Sequence, residues 1–79
     1  MKELIELIAK SLVDNPDKVQ VSQLDGEQSS IIELKVAPED VGKVIGKQGR
    51  NVQAIRVIVG AAGMKLKKRF ILELIESGR

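Results

Sequence analysis

Residues 44–52 read VIGKQGRNV, with two glycines placed three residues apart. One glycine after a short helix is a common left-handed cap, so Gly46 alone would require only a turn. A cap does not need a second glycine at Gly49, whereas a ligand backbone that must come close does. A helix beginning after Gly49 would direct its free N–H groups and positive dipole end at the same place, beside the cations Lys47 and Arg50. The stretch therefore predicts an anion site, with phosphate as the natural anion.

The phosphate is not that of a bound nucleotide. A nucleotide-binding P-loop requires G-x-x-x-x-G-K-[ST]. Here only three residues separate Gly42 from Gly46, and Gln48 stands where the Ser or Thr should be. The dinucleotide fingerprint follows a strand, and no strand is predicted before these glycines.

The composition removes most enzyme chemistry. The 79 residues include no Cys and no His, so the usual transition-metal ligand sets and the common nucleophile–base pairs are missing. We expect no enzyme activity, no metal, no cofactor and no small-molecule substrate. The length predicts one domain over residues 1–79. Since no apolar run reaches the roughly 20 residues of a membrane span, and Glu3 and Glu6 interrupt the N-terminal apolar positions, we expect a cytoplasmic protein without membrane contact.

The charge is divided along the chain, although the net charge is only +2. Residues 1–40 carry 4 basic and 9 acidic residues, a net charge of −5. Residues 41–79 carry 9 basic and 2 acidic residues, a net charge of +7. Charge that is segregated in this way indicates one basic face and an anionic partner.

Apolar periodicity predicts the order α-β-β-α-α-β. The predicted elements are a helix over 2–13, a strand over 18–22, a strand over 32–36, a short helix over 38–45, a helix over about 50–62 and a strand over 67–75. This order predicts an α+β domain with helices packed on one face of a three-stranded sheet.

Several local features carry expectations of their own. The buried stripe of the first helix should contain Leu4, Ile5, Ile8 and Leu12. Pro38 suits a first helical turn, and the acids after it suit the positive end of the helix dipole. Gly60 should permit close packing, Gly63 should end the long helix, and Phe70 should lie in the core.

The nine residues 44–52, with Val41 and Gly42 before them and Ile55 after them, resemble the V-I-G-K-x-G-x-x-V signature of KH domains. Over residues 1–76 the chain is similar to the small single-domain bacterial KH-domain RNA-binding proteins, the KhpA-like family. The resemblance implies a prokaryotic type II-like KH fold that binds short single-stranded RNA, as an RNA chaperone or regulator. It also implies a homodimer, or a heterodimer with a larger Jag-type RNA-binding protein, and a link to cell division and elongation.

Family roles can be carried onto this sequence residue by residue. A KH domain clamps the backbone of about four unpaired nucleotides in its GxxG loop. By resemblance, Gly46 and Gly49 admit the sugar–phosphate chain, and Lys47 and Gln48 contact phosphates. The remaining RNA contacts that the resemblance implies are Lys43 and Arg50, which add charge on either side, and Ile45, which touches a base. The bases should lie between the short helix and a sheet edge near Ile32 and Leu34.

The sequence leaves the roles of two further surfaces undecided. The cations Lys65, Lys67, Lys68 and Arg69 either form a solvated loop, extend the phosphate track or bind a partner. Val57 and Ile58 either broaden the core stripe of the long helix or form a dimer surface.

Two other functional classes also use such a sequence. A DNA-binding helix-turn-helix also has two helices and a Gly-containing turn, but its reading helix exposes polar side chains, and residues 52–62 offer only Gln53 and Arg56. A protein-interaction adaptor with an unused GxxG loop is the other alternative.

Overall fold

The six predicted elements occur in the predicted order. The structure, a computed structural model, describes residues 1–76, so the predicted domain boundary at residue 79 lies outside the described residues. The helices and strands are α1 (Lys2–Leu12), β1 (Gln20–Asp25), β2 (Ser29–Val36), α2 (Val41–Ile45), α3 (Arg50–Leu66) and β3 (Arg69–Glu76). Three short 3-10 turns, Pro16–Lys18, Pro38–Asp40 and Lys47–Gly49, lie before β1, α2 and α3. The predicted α+β class is confirmed.

The sheet is mixed, with the strand order β1-β2-β3. A tight hairpin pairs β1 with β2 in antiparallel register, with Val21 opposite Leu34. β2 and β3 run parallel, which requires a crossover, and α2 and α3 supply it. Burial alternates along β2, because one sheet face packs on the helices and the other does not.

The core lies between this sheet face and the three helices. Its buried members come from every element: Ile5, Ala9, Val19, Val21, Ile32, Leu34, Val36, Val44, Val52, Ile55, Val59 and Leu72. The predicted stripe of α1 was partly wrong, since Leu4 is 41% exposed. Ile5 and Ala9 form the centre of the buried face, and Leu4 lies about 100° around the helix from Ile5.

The long helix is confirmed as a helix, but it ends later than predicted. α3 continues to Leu66, and Lys67 follows in the left-handed region with φ 55°. The Lys68 N–H donates to the Gly63 carbonyl and the Lys67 N–H donates to the Met64 carbonyl, which is the Schellman pattern of helix ends. Gly63 is therefore three residues inside the helix, and the prediction that it is the cap was wrong. β3 accordingly begins at Arg69 rather than at Lys67.

Close packing in this helix occurs at Gly63, and not at Gly60 as expected. A Cβ on Gly63 would overlap the Lys68 carbonyl oxygen and lie 3.0 Å from the Phe70 ring. A Cβ on Gly60 would meet nothing within 4 Å. Gly63, and not Gly60, is thus the residue that lets α3 approach the chain entering β3.

A buried carboxylate joins two distant segments. Asp40 is fully buried and accepts hydrogen bonds from the Asp14 N–H (3.2 Å), the Asn15 N–H (3.0 Å) and the Asn15 side-chain amide (3.0 Å). It precedes α2 directly but makes no capping hydrogen bond to it. Burial by itself would raise the pKa of Asp40, but the hydrogen bonds from Asn15 and Asp14 outweigh it and lower the pKa.

The hairpin has a second carboxylate of this kind. The Ser30 hydroxyl, which is fully buried, donates to Asp25 at 2.6 Å. The hydrogen bonds from the Gln23 amide and from Ser30, with a smaller contribution from Lys68, lower the pKa of Asp25 to about 2. This pair fixes the register where β1 turns into β2.

Within residues 1–76, the structure has no helix that is both long and apolar enough to cross a membrane.

The contrast between the two glycines of α3 predicts substitutions with opposite signs. Gly63→Ala should lower the free energy of unfolding by about 1–3 kcal/mol, because the backbone at Lys68 must move to admit the methyl group. Gly60→Ala should raise it by about 0.5–1 kcal/mol, because it removes unfolded-state entropy and meets open space. Urea unfolding followed by circular dichroism measures both. Equal effects of the two changes would contradict the assigned roles.

The Asp40 contacts predict acid sensitivity. Because its pKa is lower in the folded state, the unfolded state binds more protons below about pH 4, and stability falls as the pH decreases through this window. Asp40→Asn should be less stable than wild type at neutral pH, since the new amide donors face existing donors. The stability difference should shrink towards about pH 3. Urea unfolding at both pH values measures this, with the exposed Asp17→Asn as a control that should change little. A difference that is constant with pH would contradict the role of Asp40.

Candidate nucleic-acid interface

The GxxG loop joins α2 to α3 through a chain of unusual backbone angles. Gly46 has φ 77° and ψ 172°, a region that is essentially restricted to glycine. Gln48 (φ 58°) and Gly49 (φ 76°) are left-handed. For a residue with a side chain, such as Gln48, this conformation costs about 1–2 kcal/mol. Three positive φ angles in four residues lift Lys47 and Gln48 into solvent between the two helices, where both are exposed.

Glycine is required at position 46 by the nearby Asn51 side chain as well as by the backbone angles. A Cβ at Gly46 would lie 2.6 Å from Cγ of Asn51. The Asn51 side-chain amide donates a hydrogen bond to the Lys43 carbonyl oxygen at 2.9 Å, in the last turn of α2. The side chain thereby connects the two helices beneath the loop. Sequence reasoning gave Asn51 no role, although it stands inside the nine-residue signature.

Gly49 has a different requirement. Its positive φ favours glycine, but a Cβ there would meet nothing within 4 Å. The space beside it is open to solvent. As the residue before α3, Gly49 also offers no side chain to cap the first turn, so the N–H groups at the start of this helix lie beside an open space.

The cations around the loop are not equivalent. Lys47 and Arg50 are exposed. Lys43 lies 3.1 Å from a carboxylate oxygen of Asp14 and 3.9 Å from one of Asp40. The hydrogen bond and charge of Asp14, assisted by Asp40, raise the pKa of Lys43. A ligand phosphate would have to compete with these carboxylates for Lys43, whereas Lys47 is accessible directly.

A groove of about 550 Å³ opens next to the loop. It is lined by Val41, Ile45, Val52, Arg56, Leu74 and Glu76. Ile45 is 37% exposed within it, although an apolar residue at this place in a short helix would ordinarily be buried. The Ile45 side chain is therefore accessible to a ligand, as its predicted contact with RNA requires.

The predicted second wall of the groove was wrong. Ile32 and Leu34 are fully buried and belong to β2, the central strand of the sheet. The edge strand beside the loop is β3, and its residue Leu74 forms the wall instead. The missed residue Arg56 lies on α3 and is exposed. The sequence could have indicated this residue, because Arg56 is the single cation among the mostly apolar residues 52–59.

The two further surfaces lie elsewhere on α3 and β3. Val57 and Ile58 are 69% and 41% exposed, so they do not belong to the core stripe. Lys65 and Lys67 are exposed at the end of α3, and Lys68 lies 3.4 Å from Asp25. Phe70 is only partly buried, although it packs against the core.

Comparison with known proteins identifies the family. The family model described as "KhpA/KhpB, KH domain" matches residues 2–74. A protein of Caldanaerobacter subterraneus subsp. tengcongensis named "RNA-binding protein KhpA" is 67% identical over 75 residues, which cover 95% of this chain and 100% of that protein. Proteins of the same name from Clostridium acetobutylicum and Aquifex aeolicus are 65% and 53% identical. The Clostridium alignment covers 95% of this chain and 100% of that protein, and the Aquifex alignment 96% of each.

The GxxG loop, α2, α3 and β3 as far as Leu74 fall inside the matched residues. The identities extend over nearly the whole length of the relatives as well as of this chain. The chain therefore belongs to the KhpA/KhpB family of KH domains.

Proposed function

We propose that this protein binds short single-stranded RNA through its GxxG loop and the groove beside it. The whole chain acts as a single KH domain, in the cytoplasm, and performs no catalysis. The relatives are named as RNA-binding proteins, and the chain shares their sequence over nearly all of its length.

One observation carries the proposal. Lys47 and Gln48 project from a loop whose backbone is forced into left-handed angles, at the N-terminus of a helix of 17 residues. The positive end of the α3 dipole and the exposed Lys47, which forms no salt bridge within residues 1–76, together favour a phosphate at this place. Glycine at both ends of the loop allows a sugar–phosphate backbone to come within contact distance.

The groove supports a role for bases. Ile45, Val52 and Leu74 offer aliphatic surface against which an unstacked base can pack. The chain has one aromatic residue, so the aromatic stacking that many single-strand binders use is absent from this groove. Three or four neutralised phosphates imply a log–log salt slope of about −2 to −3, and we expect an affinity on the order of micromolar or weaker.

The exposed face of α3 argues against duplex DNA. Ala54, Val57, Ile58, Ala61 and Met64 are exposed along it, and such side chains cannot form the hydrogen bonds that read base edges in a major groove. Single-stranded RNA remains the ligand that suits both the loop and the groove.

A weak site for about four nucleotides gains affinity when two copies act together. We propose that the protein works as a homodimer, or as a heterodimer with a larger Jag-type RNA-binding protein, through Val57 and Ile58. The likeness to the family suggests an RNA chaperone-like or post-transcriptional regulatory role, linked to cell division and elongation.

The loop proposal predicts the result of charge reversal. Lys47→Asp combined with Gln48→Asp should weaken binding of single-stranded RNA by about tenfold or more, equal to about 1.4 kcal/mol. Both glycines are kept, and aspartate tolerates the left-handed backbone of Gln48. Fluorescence anisotropy at two salt concentrations, after circular dichroism confirms folding, measures the effect.

The matched control is Lys18→Asp combined with Gln20→Asp, which changes the net charge equally at two exposed positions. It should lower the affinity much less than the loop variant. If the two double variants bind alike, the loop has no special role and the contact is a general electrostatic one.

The proposed dimer surface predicts a change in mass. Ile58→Asp should convert dimers to monomers in light scattering, because a buried unpaired carboxylate is costly at an interface. Leu7→Asp, which alters a leucine of α1 that is 65% exposed, is the control and should leave the mass unchanged. A dimer that survives Ile58→Asp would remove this surface from consideration.

A further inference from the structure

The groove beside the GxxG loop does not end at Arg56. A second depression, of about 370 Å³, is lined by Arg56 together with Val59, Arg69 and Phe70. A third, of about 360 Å³, is lined by Arg69 and Phe70 together with Gly63, Met64 and Lys67. Because each depression shares residues with the next, the three form one continuous seam between α3 and the edge strand β3. The seam follows α3, whose 17 residues span about 25 Å.

The seam is basic along its length beyond the groove. Arg56, Lys67 and Arg69 line it and are exposed. Within residues 1–76 none of the three forms a salt bridge, whereas Lys68 is paired with Asp25. The helix dipole accounts for cations in the last turn of α3, such as Lys65. It does not account for Arg69, which begins a strand.

Lys67 occupies a position that ordinarily belongs to glycine. It has φ 55° at the end of a Schellman motif, where a residue with a Cβ is disfavoured and glycine is the usual occupant. The chain uses glycine at Gly46 and Gly49, where the loop needs it. We therefore explain a strained lysine at the mouth of a cavity by a function of its charge.

We propose that the α3–β3 seam is a second RNA-binding segment, in which Arg56, Lys67 and Arg69 hold the phosphates of a single strand that continues from the GxxG loop. The proposal rests on the proposed function, because the strand enters the seam from the groove. It extends the footprint beyond the roughly four nucleotides of the loop and groove, because the part of α3 from Arg56 to Leu66 adds about 15 Å at about 1.5 Å for each residue.

The seam and the proposed dimer surface are compatible. Arg56 and Ile58 are two positions apart, which places them about 200° apart around α3. RNA in the seam would leave Ile58, on the far side of α3, free for a second copy. β3 is an edge strand and borders the seam, so no other strand of the sheet blocks the path of the RNA.

The test compares short and long RNA on the full chain. The probes are random-sequence single-stranded RNA pools of four nucleotides and of about 14 nucleotides, so that base preference affects all protein variants equally. Titration followed by amide NMR shifts should move the GxxG loop with both pools. Gly60 and residues Lys67–Phe70, which line the seam beyond the groove, should move only with the long pool.

Two variants measure the seam itself. Lys67→Glu combined with Arg69→Glu should weaken binding of the long pool on the order of tenfold at physiological salt, and make the salt slope less steep by about 1.4. Binding of the four-nucleotide pool should stay unchanged within about twofold. Lys2→Glu combined with Lys18→Glu makes the same charge change at exposed positions outside the seam, and should reduce binding of both pools equally and only slightly.

Lys67→Gly separates binding from folding. Glycine relieves the left-handed strain, so this variant should melt at a higher temperature than wild type. It should nevertheless bind the long pool about three- to fourfold more weakly, since one phosphate contact is lost. A loss of affinity together with a gain of stability cannot come from a damaged fold.

The outcomes distinguish the seam from the loop. The seam proposal is overturned if the seam double variant binds the long pool like its control, even when long RNA binds better than short, because a dimer with two GxxG loops would then explain the length effect. It is also overturned if Arg56, Lys67 and Arg69 bind a protein partner and not RNA. In either case the loop variant Lys47→Asp, Gln48→Asp still loses binding. If that variant binds like wild type, the proposed function itself fails.

Discussion

The buried carboxylate of Asp40 determines where the interface can form. It accepts three hydrogen bonds from Asp14 and Asn15, which lie 26 and 25 positions earlier in the chain. A buried charge is tolerated only when its partners are in place, so the connection after α1 and the start of α2 have to come together. α2 has only five residues and could not hold its direction alone. Asp40 at its start and Asn51 beneath its end give α2 a fixed orientation, and the GxxG loop inherits it.

The two ends of α3 use left-handed backbone in different ways. At its start, Gly46 and Gly49 supply conformations that let the loop turn sharply, and Gly49 leaves open space beside it. At its end, Lys67 adopts the conformation without being glycine, while Gly63 is needed one turn earlier for close packing against Lys68. The positions with strain and exposed charge thus lie at both ends of the helix. The helix core between them, with Val52, Ile55 and Val59, is ordinary packing.

The position of the groove follows from the order of the strands. β2 pairs with both neighbours, and its alternate apolar residues Ile32, Leu34 and Val36 are fully buried. β3 has one free edge, and the gap between this edge and α3 becomes the groove and its continuation. Ile45 stays exposed because it borders this gap. The same topology brings Arg56 and Arg69, 13 positions apart in the sequence, to one depression.

The sequence by itself determined the element types, their order and the loop with its exposed cation. These features depend on local periodicity and on glycine spacing within nine residues, and periodicity was sufficient even for the β-branched run at Val57-Ile58-Val59, which is helical. The exposure of Leu4, the close packing at Gly63 instead of Gly60 and the location of the groove on β3 were decided by tertiary structure alone. Each depends on which distant backbone comes near, as with the Lys68 carbonyl at Gly63. Such contacts follow from strand order and helix packing, which a one-dimensional pattern does not encode.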